Sequence, residues 1–196
     1  EAIYSSVLPI SAPMAKWTIL AYYDADNNLE SGIMYDMDEF ERGGGSTESV
    51  RILTLLDRAV DFDTSNGNWT DARVYEVGAD KSNDVITTYP PTLDSDPLAY
   101  LGEIDMGDEV NLLNFLVWGM TMYPAERYAI SLNNHGGAWA GTAWDDSSSV
   151  HNNLTVPEMA AVFNRALQEV GRSRFDLLIN DSCLMSSMEN FAGISS

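Results

Sequence analysis

A thiol and an imidazole stand at matching places in this chain, and together they can do acyl-transfer chemistry. Cys183 is the only cysteine, and it follows F-D-L-L-I-N-D-S, Phe175 to Ser182. His135 follows R-Y-A-I-S-L-N-N, Arg127 to Asn134, and precedes Gly136 and Gly137. Each stretch is a short apolar run of strand length that breaks into polar residues just before the reactive side chain. Such a run reads as a buried strand of a parallel sheet. The C-terminal end of a strand in an open α/β sheet is where such folds place their sites. A thiolate is the nucleophile, and a nearby imidazole is the usual means of making one. Two parallel strands would bring His135 and Cys183 side by side. Backbone N–H groups around Gly136 and Cys183 would then face a developing oxyanion. A lone cysteine is more often a small buried hydrophobe; the polar exits from both strands are what a purely structural cysteine does not require.

The neighbouring residues sharpen this reading. Asp181 lies two before Cys183, so on an extended exit it points to the same side and would attract a cationic substrate side chain. The competing role is an N-cap of a helix expected to start at Cys183, whose dipole would favour a negative sulfur. His151, the rival base, sits in a Ser/Asn-rich loop without apolar flanks and reads as solvated. Asp24-Ala25-Asp26-Asn27-Asn28 opens like a calcium loop, but Leu29 replaces the turn glycine and Tyr35 stands where the bidentate glutamate belongs, so the EF-hand pattern fails. One cysteine and two histidines do not make a zinc site of recognisable spacing, and the sequence assigns no metal ligand.

These residues need a scaffold, and the rest of the text supplies one. Lys16 to Tyr23 is a first strand, apolar on both faces. The helix after it places Leu29, Ile33, Met34, Met37 and Phe40 on one stripe, with Glu30, Asp36 and Glu41 off it. Val50 to Leu56 is a second buried strand. Arg73 to Val77 and Val85 to Tyr89 read as an edge hairpin. Asp108 to Met122 reads as a helix with Val110, Leu113, Leu116, Val117 and Met120 inward. Thr155-Val156-Pro157-Glu158 is a capping box with proline just inside the start, and Gly171 stands at the far end of that helix. Strands alternating with helices predict a three-layer α/β/α sandwich around a mainly parallel sheet. Residues 1–15, with Pro9 and Pro13, read as a lead-in to one domain over 16–196. The text stops about one helix beyond Cys183, so the expectation is a domain completed by a C-terminal segment or a second chain.

Composition narrows the partners. Ten basic against 30 acidic residues give a net charge of −20. That charge repels phosphate backbones and excludes nucleic acid as an expected partner. It favours solubility and cationic substrates. No apolar run reaches the roughly 18 residues of a membrane span. A single cysteine leaves no intrachain disulfide.

Three segments carry a resemblance. W-T-I-L-A-Y-Y-D-A-D-N-N-L-E (Trp17 to Glu30), N-N-H-G-G-A-W (Asn133 to Trp139) and F-D-L-L-I-N-D-S-C-L-M-S-S-M-E (Phe175 to Glu189) resemble the clostripain family of cysteine peptidases, in the family's order. The resemblance implies a caspase-like fold, shared with gingipains and legumains. It implies a dyad of His135 and Cys183, an oxyanion hole from the amides of Gly136 and Cys183, and Asp181 in the S1 pocket for Arg or Lys. It also implies a secreted or cell-surface bacterial protein, calcium as an aid, and maturation by self-cleavage. Ala138 stands where a third glycine is common, and Ser182 where alanine is usual. Between His135 and Arg165 there is no Lys or Arg, so a basic self-cleavage site is missing there.

The expected activity is therefore cysteine endopeptidase cleavage of peptides or proteins after Arg or Lys, through a thioacyl-enzyme and without a close third member of the dyad. The alternative is a catalytically impaired caspase-fold binding or scaffold protein. A third reading is hydrolysis of a non-peptide acyl substrate by the same pair.

Overall fold

The computed structural model describes residues 12–90, 96–148 and 152–195. His151 and most of the 1–15 lead-in lie outside the described residues. The sheet that the apolar runs predict is present, with six strands in the order β4-β3-β2-β1-β5-β6 among the described residues. Strand β1 (Ala15–Ala25) lies at its centre, parallel to β2 (Val50–Arg58) on one side and to β5 (Ala125–Asn133) on the other. Strand β6 (Leu177–Asp181) extends it in parallel beyond β5. Strands β3 (Ala72–Glu76) and β4 (Ala99–Gly102) complete the other edge antiparallel.

Both faces of β1 are apolar because each is covered. Side chains alternate across a strand. Leu20 and Tyr22 join the core formed with α2 (Glu109–Met122) and α3 (Val156–Glu169). Ala21, Tyr23 and Ala25 pack the opposite way, with Ile33, Met34 and Met37 of α1 (Glu30–Arg42). Burying one such large side chain is worth about 1.5–3 kcal/mol, which is why the two layers hold the sheet fixed. The Thr155–Glu158 capping box is made, with the Thr155 N–H donating to Glu158 Oε2 at 2.9 Å. Gly171 follows α3 with φ +69°, and Arg172 N donates back to Leu167 O at 2.8 Å. That left-handed turn is what glycine supplies at a helix end.

Four expectations need correction. The partner of β3 is β4; Val85–Tyr89 contributes only an isolated bridge, Val77 to Thr88. Val110 is exposed rather than inward, since it stands in the first turn of α2, beside the Asp108 cap. Glu30 and Glu41 are buried, because the segments that follow β2 and β3 close over the flanks of α1. They supply the partners: Arg58 Nε donates to Glu30 Oε1 at 2.7 Å, and Thr87 N donates to Glu41. Finally, among the described residues β6 is an edge strand and not a buried one; Leu177 and Ile179 are exposed.

Candidate active site

Strand ends converge at one rim of the sheet. Parallel register sets Tyr23 opposite Asn133 and Asn133 opposite Asp181, so β1, β5 and β6 release their chains at the same level. The loops beyond them carry Asn28, His135 and Cys183. Their backbones touch closely: a β-carbon at Gly136 would lie 1.9 Å from the Cys183 carbonyl oxygen. Only glycine permits that approach. Thr142 fastens the loops further, donating from Oγ1 to the His135 carbonyl at 2.8 Å and bonding the Ser182 hydroxyl at 3.0 Å.

His135 Nε2 lies 2.8 Å from Asn28 Oδ1. An amide oxygen only accepts, so Nε2 carries the proton and Nδ1 keeps its lone pair as the basic nitrogen. Asn28 thus orients the imidazole, a part the sequence reading left unfilled. The imidazole and the thiol are not hydrogen-bonded to each other. Cys183 is exposed, unlike a packing cysteine. Neither the Gly136 nor the Cys183 amide donates a hydrogen bond among the described residues, so both N–H groups are available to a ligand oxygen.

The chain after Cys183 corrects another expectation. It does not enter a helix there; it makes a turn with Leu184 at φ +62°, and α4 (Met188–Ile194) starts only after a cap from Ser187. Asp181 is therefore not an N-cap, and no helix dipole acts on the sulfur. The H-G-G-A-W loop holds a short 3₁₀ turn, Ala138–Ala140, entered with Ala138 at φ +55°. The left-handed backbone at Ala138 gives the physical reason a glycine suits that position.

Beside Cys183 lies a cavity of about 560 Å³, lined by Leu29, Ile33, Asp36, Asn133, Asp181 and Cys183 among others. Two carboxylates, of Asp36 and Asp181, line it close to one another. Asn133 Nδ2 donates to Asp36 Oδ2 at 2.6 Å and reaches Asp181 Oδ2 at 3.5 Å. Burial pushes the Asp36 carboxyl above its usual range, and the Asp181 charge adds to the shift, while the Asn133 amide opposes it. A cationic group placed between them would relieve that repulsion. Asp36 comes from α1, where the sequence reading placed it off the apolar stripe without a role.

A second acidic group lies behind the rim, where β1 and β2 end and the segments after β4 and His135 pass. Asp26, Glu103 and Asp145 each offer a carboxylate oxygen, and these lie within 4.8 Å of one another. Asp24 and Asp57 are fully buried next to them, at paired positions of β1 and β2. Burial pushes Glu103 up to about 7, with the Asp26 and Asp145 charges adding to it. Burial also drives Asp24 and Asp57 well above the usual carboxylate range, with the neighbouring acids reinforcing it. The spacing of the D-A-D-N-N loop alone cannot reveal this group, because its carboxylates come from three distant stretches.

A sheet of this topology, with a thiol and an oriented imidazole on adjoining strand-end loops, defines an α/β cysteine-peptidase fold. The clostripain family model (peptidase C11) matches residues 21–192, and the chain belongs to that family. It is 29% identical to clostripain of Hathewaya histolytica, over 89% of this chain and 35% of that protein. Its fold is similar to that of a secreted C11 cysteine protease from Bacteroides thetaiotaomicron solved with an irreversible peptide inhibitor. There the TM-score is 0.63 at 18% identity, covering 92% of this chain and 46% of the other. An inactive zymogen C11 protease from Parabacteroides distasonis is similar with TM-score 0.55 at 19% identity, over 96% and 47% of the two chains. The chain thus spans about a third of the length of the curated relative and under half of each solved structure. No described helix is long and apolar enough to cross a membrane.

Proposed function

We propose that this chain forms the catalytic core of a cysteine endopeptidase that cuts peptide bonds after Arg or Lys. The observation that carries the reading is the cavity beside Cys183, lined by the carboxylates of Asp181 and Asp36, which both approach the Asn133 amide. The P1 side chain enters that cavity, and its cation pairs with the two acids. Asp36, from α1, supplies a second wall to the S1 pocket within this chain. The bidentate fork of Arg matches a carboxylate better than the point charge of Lys, which favours Arg.

The chemistry then follows from the loops. Cys183 gives its proton to Nδ1 of His135, and the thiolate sulfur bonds to the scissile carbonyl carbon. The carbonyl oxygen, now negative, accepts from the N–H groups of Gly136 and Cys183. As the C–N bond breaks, the His135 imidazolium gives its proton to the leaving amine. Water, deprotonated by His135, attacks the thioester, and Cys183 leaves with its proton restored. Asn28 keeps Nδ1 turned toward this exchange.

The protein acts outside the cell or at its surface, as the secreted relative does, and further polypeptide pairs with the open edge of β6. Calcium, expected from the resemblance, has its place in the acidic group behind the rim rather than in the substrate cavity. The test is hydrolysis of fluorogenic peptides with Arg, Lys, Asp or Leu at P1 by the protein containing this chain, beside Cys183→Ala and Asp181→Asn. Cleavage after Arg and Lys, abolished in the first variant and cut at least 100-fold in the second, supports the reading. Absence of cleavage by folded, reduced protein would replace it with the binding or scaffold role.

A further inference from the structure

Exposed apolar side chains gather beside the catalytic loops. Trp139 is 81% exposed, Leu184 72% and Met188 84%. Trp139 stands in the 3₁₀ turn of the histidine loop, and Leu184 follows the nucleophile directly. Helix α4, which carries Met188, packs against that 3₁₀ turn and against α3. None of the three residues lines the cavity that holds Asp36 and Asp181. That cavity is walled by α1, whereas α4 belongs with α3 on the opposite face of the sheet.

The backbone is bent to present these side chains. Among the described residues, the non-glycine residues other than Asp and Asn with positive φ are Ala138 (+55°), Ala143 (+59°) and Leu184 (+62°). All lie in the loops that carry His135 and Cys183, and two of them adjoin or are the exposed residues. A left-handed backbone is costly for a side chain with a β-carbon. At Leu184 it sends Met185 into the core against Gly136. The buried Asn190 fixes that turn, donating to the carbonyl oxygens of Leu184 and Met185 at 3.4 and 3.3 Å. Glycine or asparagine would make the same turn with less strain. Neither backbone nor packing therefore calls for leucine there, and water does not favour it. Apolar surface held out in this way marks a place where another chain lies.

The proton path tells which part of a substrate that is. The P1 side chain occupies the cavity on the α1 side. His135 gives its proton to the leaving amine, so that nitrogen stands beside the histidine loop. The residue carrying it, P1′, then lies over Trp139 and Leu184. We propose that Trp139 and Leu184, with Met188 at the rim, form an S1′ subsite that selects a large apolar residue immediately after the scissile bond. The proposal rests on the peptidase reading. An apolar P1′ side chain covers surface that water otherwise wets, and the flexible Met188 thioether adapts to its shape.

The thioacyl-enzyme supplies the test. The protein containing this chain forms it from Nα-benzoyl-arginine ethyl ester, with loss of ethanol, and either water or an added amino-acid amide then attacks its carbonyl carbon. With the amide, the amine nitrogen forms the new peptide bond, His135 takes its proton, and Cys183 leaves with that proton. The ratio of peptide to acid product, read by liquid chromatography, reports S1′ alone, because acylation is common to both. Leucinamide should capture about 5- to 10-fold more acyl-enzyme than glycinamide at equal concentration. Trp139→Ala and Leu184→Asn should each cut that preference at least about threefold; asparagine keeps a residue that tolerates the turn. Tyr100→Ala, which removes an exposed aromatic at the far edge of the sheet, should leave the preference unchanged. A preference below about twofold in the parent, or one that survives both variants, overturns the subsite and gives the patch to further polypeptide of the protein. Failure of folded, reduced protein to consume the ester at all would instead remove the peptidase reading, and the subsite with it.

Discussion

Replacing Gly136 by alanine tests how the two loops meet. The added β-carbon would stand 1.9 Å from the Cys183 carbonyl oxygen and 2.9 Å from its carbon. Carbon and oxygen do not approach below about 3 Å without severe repulsion, so one loop must retreat by about 1 Å. Neither residue lies in a strand, so the loops move while the ladders stay. A misplacement of about 1 Å at reacting groups costs about 100-fold in rate. That corresponds to about 2.7 kcal/mol at the barrier. The assay is kcat/KM on a peptide with Arg at P1, beside thermal unfolding followed by circular dichroism. The expected result is a fall of about 100-fold with a smaller effect on Tm, because the strain falls on the two loops and on the flexible Met185 side chain rather than on the ladders. Activity within threefold of the parent would refute the reasoning, since the loops would then have room that this geometry denies them.

Asn28→Ala should lower kcat about 10- to 100-fold with KM little changed, while Asn28→Asp keeps the orienting acceptor. The new carboxylate would stabilise imidazolium, so the acid limb of the kcat/KM profile moves to higher pH in Asn28→Asp. Glu41 is raised to about 7 by burial, with nearby acids adding to it. Its folded state therefore holds a proton more tightly than the unfolded chain, so stability falls as pH rises from about 4.5 to about 7. Glu41→Gln should flatten that decline and equal or exceed the parent in Tm above pH 7; a steeper decline would contradict it. Thr155→Ala removes the α3 cap and should cost about 1 kcal/mol, read as a Tm drop of about 2–4 °C. Arg58→Met leaves Glu30 charged and buried without its partner, and should cost about 3–5 kcal/mol by urea unfolding.

What was legible in the sequence was what depends on local pattern. Strands β1, β2 and β5 read clearly because continuous apolar runs require cover on both faces. The α3 boundaries read clearly because Thr155, Glu158 and Gly171 are local signals. His135, Gly136 and Cys183 stood out because polar residues interrupt apolar runs on either side of them. The missed parts are joined across the chain. Asp36 is one turn past Gly32 on a helix whose neighbouring polar residues carry no message until β6 arrives opposite it. Asn28 meets His135 across 107 residues of sequence. Glu103 and Asp145 join Asp26 only through the sheet's closure. Strand β4, A-Y-L-G, is too short to announce itself, and Val85–Tyr89 carried a better alternating pattern but meets the end of β3 only through the Val77–Thr88 bridge.

The edge position of β6 has a consequence for how activity is lost. Five residue pairs to β5 are its whole described ladder, while β1 is paired on both sides. Amide exchange of β6 should therefore be governed by partial opening, at a free energy below that of global unfolding. Cys183 follows a strand paired on one side only, so in this chain by itself mild denaturant should loosen the site before the central strands, and polypeptide pairing with the open edge of β6 should remove that difference.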